Sequence, residues 1–236
     1  MTIFQNSRSA PQFTSSLRLI ATNYAFRCDA KYADHSIRNI LGAARDAGAT
    51  RLGKFLTSPF VKGVQPNYLD QPTDESIPVI NTLSIQNLSI KLSDCRHIHR
   101  DDFDNLSDER KLKADDVLVT VDGGVSIGKP SLWRGTDDAT VDSHVVVLRP
   151  EGLSALALVY LLASPLGQMQ FRRAESGASG QTTVTEDDIR RFIFPNTMLL
   201  RIEKTAIELE KKRSEIASKR EALDREEARL WQSLGS

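Results

Sequence analysis

The sequence predicts an α+β fold: a domain with a twisted mixed or antiparallel sheet and peripheral helices, followed by a long C-terminal helix of coiled-coil type. Short apolar runs separated by turn residues fill the chain up to Pro150, and helical periodicity takes over beyond it. After Pro195, Ile202, Leu209, Ile216, Leu223 and Leu230 recur every seven residues in an otherwise charged segment. That period holds one narrow apolar stripe on one side of a helix. The 236 residues, 40% of them hydrophobic, supply a core for one domain of about 190 residues plus an extended element. The expected division is a poorly ordered N-terminus at 1–16, a domain at 17–195, and a spacer helix at 196–236.

Each element has its own signal. Residues 34–47 read as a helix, with Ile37, Ile40, Leu41 and Ala44 at helical spacing and Gly48 as the stop. Residues 51–55, 77–83, 89–92, 116–121 and 144–148 read as strands. Residues 153–163 are apolar nearly all round, which predicts a buried helix. Ser164 and Pro165 supply an N-cap and a first-turn proline for a helix through Phe171. Thr185 with Asp188 three residues on caps a short helix, and residues 192–194 form an apolar strand closed by Pro195. The last helix, from Thr197 to Gln232, spans ~54 Å. Its second seam, Ala206, Arg213, Arg220 and Glu227, is mostly charged, so the stripe is one residue wide and needs a partner helix or groove to cover it.

Composition narrows the function. Formal net charge is zero, which argues against nonspecific coating of nucleic acid. Residues 1–62 nevertheless carry nine Lys or Arg against three Asp, and residues 63–122 carry six against twelve acidic residues, an asymmetry that permits one basic face. The start of the chain lacks a signal-peptide core, and the longest apolar run, 155–163, is too short to cross a bilayer, so the expected location is cytoplasmic, with no membrane partner. Cys28 and Cys95 form neither a CxxC pair nor a framework, and reduced, inert thiols are expected.

No catalytic, metal or cofactor residue emerges. Gly123, Gly128 and Lys129 match a phosphate-binding loop except at its last position, where Pro130 replaces the magnesium-binding hydroxyl and the backbone donor. A glycine-rich hairpin is the expectation instead. His97 and His99 lie in a polar stretch, His35 and His144 stand alone, and none has a metal-ligand spacing. The serines of 176–180 lack a Gly-x-Ser-x-Gly frame, and the acidic stretch 101–109 lacks a calcium-loop pattern. Glu210 and Lys212 have the spacing of a nuclease ExK without an upstream acidic partner.

The order of motifs resembles one family. Arg27-Cys28-Asp29-Ala30-Lys31-Tyr32 precedes a first helix, Ile77-Pro78-Val79-Ile80 leads into Ile85-Gln86-Asn87, and Ala114-Asp115-Asp116-Val117-Leu118-Val119-Thr120 runs into Gly124-Val125-Ser126-Ile127-Gly128-Lys129. Val145 to Pro150 come next, then Ala163-Ser164-Pro165-Leu166-Gly167-Gln168, the loop from Ser176 to Gln181, Val184-Thr185-Glu186-Asp187-Asp188-Ile189, and Phe194-Pro195 before the long helix. Over residues 17–232 this resembles the DNA-specificity subunit of type I restriction–modification systems, in a half-length form. The resemblance implies a target-recognition domain that reads one half of a split site and a helix that packs antiparallel against a second such helix. Methylation and cleavage would belong to methyltransferase subunits and a restriction and translocase subunit docked on it. One domain and one helix in place of the usual two imply a homodimer through Ile202, Leu209, Ile216, Leu223 and Leu230.

A reader of base edges needs amides, hydroxyls and guanidiniums on loops with rigid support. The candidates for binding double-stranded DNA are Lys62 and Gln65 in the loop after Phe60, Asn81 and Asn87 near strand ends, Lys129 and Arg134 flanking the glycine loop, Arg172 and Arg173, and Ser179, Gln181 and Thr182. Two other readings stand beside this one: a targeting or interaction subunit of another DNA-defence complex, and a nucleotide-binding enzyme using the loop from Gly123 to Lys129.

Overall fold

The computed structural model describes residues 30–123, 126–178 and 181–234. In chain order the elements are α1 (Ala30–Ala33), α2 (His35–Asp46), β1 (Ala49–Arg51), β2 (Val61–Lys62), β3 (Ile77–Ile80), β4 (Ile85–Gln86), β5 (Ser89–Ile90), β6 (Arg96–Ile98), α3 (Arg100–Asp104), β7 (Val117–Thr120), β8 (Pro130–Leu132), β9 (Thr140–Val141) and β10 (Val145–Leu148). They continue with α4 (Ala155–Ala163), α5 (Pro165–Ala174), β11 (Ser176–Ala178), β12 (Gln181–Thr183), α6 (Glu186–Arg190), β13 (Ile193–Pro195) and α7 (Asn196–Leu234). The chain is α+β, with antiparallel and mixed sheets and one long C-terminal helix. The segment 1–16 and the motif residues Arg27 to Asp29 lie outside the described residues.

The central sheet runs β2-β10-β7-β8, all antiparallel, with Val146 opposite Val119 and Lys62, and Val119 opposite Pro130. Both of its faces are covered, which is why β7 and β10 are apolar at nearly every position instead of alternating. Val117, Val119, Val146 and Leu148 face the larger core with Leu158, Leu161, Leu162 and Phe171. Leu118, Val145 and Val147 face a second core with Ile80, Ile85, Trp133 and Val141. A second sheet, β6-β3-β9, joins β3 antiparallel to β6 and parallel to β9, so it is mixed. Among the described residues no helix is long and apolar enough to cross a membrane.

The expected caps are in place. The Asp34 carboxylate accepts from the Ser36 N–H at 2.8 Å at the start of α2. Ser164 accepts from the Gly167 N–H and Pro165 opens α5. Thr185 and Asp188 exchange both capping-box bonds at the start of α6. Helix α4 is buried from Ala157 to Leu162; burying each leucine contributes on the order of 1.5–3 kcal/mol.

Three expected strands are shorter or different. At 51–55 the chain leaves β1 for a 3-10 turn, Leu52–Lys54, because the Leu52 N–H bonds to the Phe192 carbonyl at 2.7 Å and sinks Leu52 into the core. At 77–83 the strand stops at Ile80, because the Asn81 side chain turns the backbone. At 89–92 only Ser89–Ile90 pairs, in a hairpin with β4, and Leu92 starts a 3-10 turn.

The first turns of α7 lie on the domain. Asn196 takes a hydrogen bond from the Thr50 hydroxyl at 2.8 Å and its N–H bonds to the Gly48 carbonyl. Ile202 and Ala206 are buried in the larger core. Glu203 accepts from the Ser154 N–H at 2.8 Å. From Lys211 to Leu234 every residue is exposed.

Candidate nucleic-acid interface

The central sheet has one end where several loops converge. Across that end, the Lys129 carbonyl meets the Thr120 N–H at 3.4 Å, the His144 carbonyl accepts from Val121 at 2.9 Å, and the Val145 carbonyl accepts from Gly63 at 3.3 Å. The hairpin of β11 and β12 closes over this end: Asp122 bridges to Thr183, and the Gly123 N–H donates to the Thr182 carbonyl at 3.3 Å. Side chains carried here are linked to one another. The Lys62 ammonium pairs with the Asp122 carboxylate at 2.9 Å, His144 Nδ1 stands 4.0 Å from the same carboxylate, and the Ser143 hydroxyl donates to Gln65 Oε1 at 3.0 Å. On the far side of the sheet, the turn holding Asn87 is tied to β8, where Leu88 donates to the Pro130 carbonyl at 2.9 Å and the Ser131 hydroxyl donates to Gln86 and Ser89.

The foot of the glycine loop is fixed from below. The buried Thr120 hydroxyl bonds to the Ser126 carbonyl and accepts from the Lys129 N–H at 3.1 Å. Gly128 has φ +79°, and a β-carbon there would lie 2.7 Å from the Phe171 ring, so glycine is required both for the turn and for the fit. Directly after Lys129 the chain enters strand β8, paired with β7. A phosphate-binding loop needs a helix N-terminus there, and the loop is instead the hairpin expected from Pro130.

The sequence candidates divide by position. Lys62, Gln65 and Lys129 share the sheet end, with Asn87 exposed beside it. Thr182 belongs to the closing hairpin, and its hydroxyl is buried without a hydrogen-bond partner among the described residues. Gln181 lies on that hairpin by its backbone, whereas Ser179 falls outside the described residues. Three candidates are used for structure. Asn81 is 5% exposed, and its Oδ1 accepts from Leu83 at 2.9 Å and Ser84 at 3.0 Å, so it shapes a turn and presents nothing outward. Arg134 reaches Glu210 of α7 at 2.7 Å. Arg173 stacks 4.1 Å over Tyr32 and donates to its carbonyl, joining α5 to α1. Arg172 is exposed on α5.

Sequence reasoning did not select Ser143, His144, Tyr68 or Arg96. The loop after Gln65 runs to Tyr68, whose ring carries the Arg96 guanidinium 3.4 Å from its centre. Arg96 opens β6, two strands from β9, which leads into Asp142 and Ser143. Burial pushes the Asp142 carboxyl above its usual range, opposed by the His144 N–H that it accepts. Tyr68 is pushed up by burial and by Asp142. No local pattern reveals these residues, because strand order brings them together. What the arrangement offers chemically is hydrogen bonding: the ammonium groups of Lys62 and Lys129, the Gln65 amide, the Ser143 hydroxyl and the His144 imidazole on a rigid sheet end.

The apolar stripe also divides. Ile202 is 5% exposed and belongs to the domain's own core, so it is corrected out of the pairing set, while Leu209 at 41%, Ile216 at 54%, Leu223 at 63% and Leu230 at 61% stand out from the helix uncovered. Glu210 accepts from the Tyr160 hydroxyl at 2.8 Å as well as binding Arg134. Burial, with Glu210 adding to it, pushes the Tyr160 phenol well above its ordinary range. Glu210 is thus an anchor of α7 and is not part of a nuclease ExK. Cys95 is half-buried and its thiol is pushed up by burial, which keeps it protonated. Among the described residues no group of His, Cys, Asp or Glu is placed to hold a metal ion.

No protein-family model and no curated protein matches the chain. Solved structures do. A chain from a structural study of complex assembly and conformational transition in the type I R-M system matches with TM-score 0.48 and 16% identity, over 84% of this chain and 53% of that one. The HsdS subunit from Thermoanaerobacter tengcongensis matches with TM-score 0.47 and 14% identity, over 78% and 48%. The type I restriction–modification S subunit from M. genitalium matches with TM-score 0.49 and 13% identity, over 72% and 41%. This chain spans about half the length of the chains it matches. In the order of its sequence motifs the chain is similar to type I specificity subunits; of the matched structures, two are named as S subunits and one comes from a study of a type I R-M system.

Proposed function

We propose that the chain is a sequence-specific DNA-recognition subunit of the type I restriction–modification kind, non-catalytic, reading one half-site per chain. The observation that carries the reading is the pairing of a sheet end rich in hydrogen-bonding side chains with a helix that leaves its domain at Lys211 and keeps an uncovered apolar stripe to its tip. A heptad stripe of this kind is covered by a second helix or a groove, and its seven-residue period fits a helix. Two copies laid antiparallel, stripe on stripe, set Leu209 against Leu230 and Ile216 against Leu223.

Charge favours that direction. In this register Lys212 and Arg213 of one helix face Glu227 and Glu226 of the other, while Lys219 and Arg220 at the centre face the same pair of the other copy. Parallel pairing sets all six of these charges on their likes, so the outer pairs favour the antiparallel arrangement. The paired helices then serve as the frame for methyltransferase subunits and a restriction and translocase subunit, with the domain that precedes Asn196 as a head at either end of the pair. Location in the cytoplasm follows from that role.

The test is a selection from random duplexes at stated salt with the purified chain, alone and with a methyltransferase partner, alongside sedimentation. The expected result is a dimer that enriches an interrupted palindrome. A monomer that enriches no sequence under either condition overturns the reading.

A further inference from the structure

We propose that Arg96, laid flat on the ring of Tyr68, is a guanine-reading side chain of this interface; the inference rests on the DNA-recognition reading above. Its guanidinium carbon lies 3.4 Å from the Tyr68 ring centre, and Arg96 is exposed at the start of β6, the terminal strand of the β6-β3-β9 sheet, whose outer side takes a backbone bond from the Leu69 N–H to the His97 carbonyl at 2.8 Å. Other arginines of the domain are held by their donors: Arg134 by Glu210, Arg149 by Asp116, Arg190 by Glu186 and the Ser58 carbonyl. Arg96 is held by its face. Among the described residues no acceptor bonds its N–H groups, so an arginine already fixed in orientation keeps its in-plane donors for an outside partner.

The partner that fits a fixed planar fork is a planar pair of acceptors. In the major groove guanine offers O6 and N7 side by side, and arginine meets both at once. A phosphate also takes the arginine fork with two oxygens, but its tetrahedral oxygens accept from many directions and impose no single plane, so the selection below separates the two partners. The position agrees: Tyr68 lies three residues beyond Gln65, and β9, in the same sheet, leads directly to Asp142, Ser143 and His144. Tyr68 is the positioning residue, through its ring face. Fixing the arginine before binding removes an ordering cost that a free side chain would meet on the DNA.

The experiment is the same random-duplex selection, run with the full chain as wild type, Arg96→Ala, Arg96→Lys, Tyr68→Phe and Tyr68→Ala, with melting temperature recorded for each. The expected result is that Arg96→Ala loses preference for guanine at one position of the half-site by about ten- to a hundred-fold while the other positions persist. Arg96→Lys, which keeps the charge and loses the planar fork, should fall by most of the same factor. Tyr68→Phe should retain the preference and Tyr68→Ala should weaken it at that same position. A motif unchanged by Arg96→Ala and Arg96→Lys overturns this inference alone. So does a uniform loss at all positions with a shallower salt dependence, the mark of a phosphate contact. Absence of any motif in the wild type overturns the DNA-recognition reading itself.

Discussion

A β-carbon on Gly63 would stand 2.1 Å from the carbonyl oxygens of both Val141 and Asp142. Only glycine therefore lets the loop carrying Lys62 and Gln65 lie against the chain carrying Ser143 and His144. The side chain just below that crossing, Asp142, is 5% exposed, and burial holds its carboxyl above the ordinary carboxylate range. A carboxyl whose folded-state value is raised binds its proton more tightly in the fold, so it costs stability as pH rises through the interval from its unfolded value of 3.8 to the raised value. Asp142→Asn keeps an oxygen for the His144 N–H and removes the ionisable group. The variant is expected to melt higher than wild type at pH 7, with the difference closing as pH falls toward 3.8 and below; thermal melts across pH measure it, and a difference independent of pH would refute the assignment. Residue positions were legible only where they were local. The Pro/Gly loop marks Lys62 and Gln65 as exposed, and they are, whereas nothing nearby in sequence discloses the turn that buries Asn81 or the Glu210 carboxylate that holds Arg134.

Helix α7 is two elements in one. Up to Glu210 it belongs to the domain, with Ile202 and Ala206 in the core, Glu203 bonded to Ser154 at the N-cap of α4 and Glu210 to Tyr160 within it; beyond it, nothing of this chain's described residues covers it. The heptad pattern runs through both parts without a break, so the sequence makes Ile202 and Ile216 look alike. Capping residues and period were legible because each acts within one turn of helix; the handover from core to rod depends on where α4 ends in space. The two isoleucine positions should therefore separate by experiment. Ile202→Ala is expected to lower the unfolding free energy of the domain by about 2–4 kcal/mol with the oligomeric state unchanged. Leu209→Asp combined with Ile216→Asp is expected to give monomers whose domain keeps its far-ultraviolet dichroism, since both side chains stand outside the core. Chemical denaturation and sedimentation of both variants check it, and dimers persisting in the double variant would sink the pairing stripe.

At the scale of the whole molecule, the proposed antiparallel pair makes the rod a measure of distance. With Leu209 against Leu230, the two Leu209 positions of an antiparallel pair lie 21 residues apart along the helix, which is ~32 Å at 1.5 Å per residue. One turn of duplex DNA is about 34–36 Å, so two heads at the ends of such a rod meet the same side of the double helix. A heptad inserted between Leu209 and Leu230 keeps the stripe in phase and lengthens the rod by ~10 Å, equivalent to about three base pairs at 3.4 Å each. The expected outcome in a selection from random duplexes is a gap between half-sites longer by about three base pairs, with the half-sites themselves unchanged, because the row from Lys129 to Gln65 and the Arg96 edge are untouched. An insertion of two residues instead turns the far part of the stripe by ~200° to the opposite side of the helix and should weaken pairing. A gap that stays the same after the seven-residue insertion would mean that the separation of the heads is set by something other than this helix.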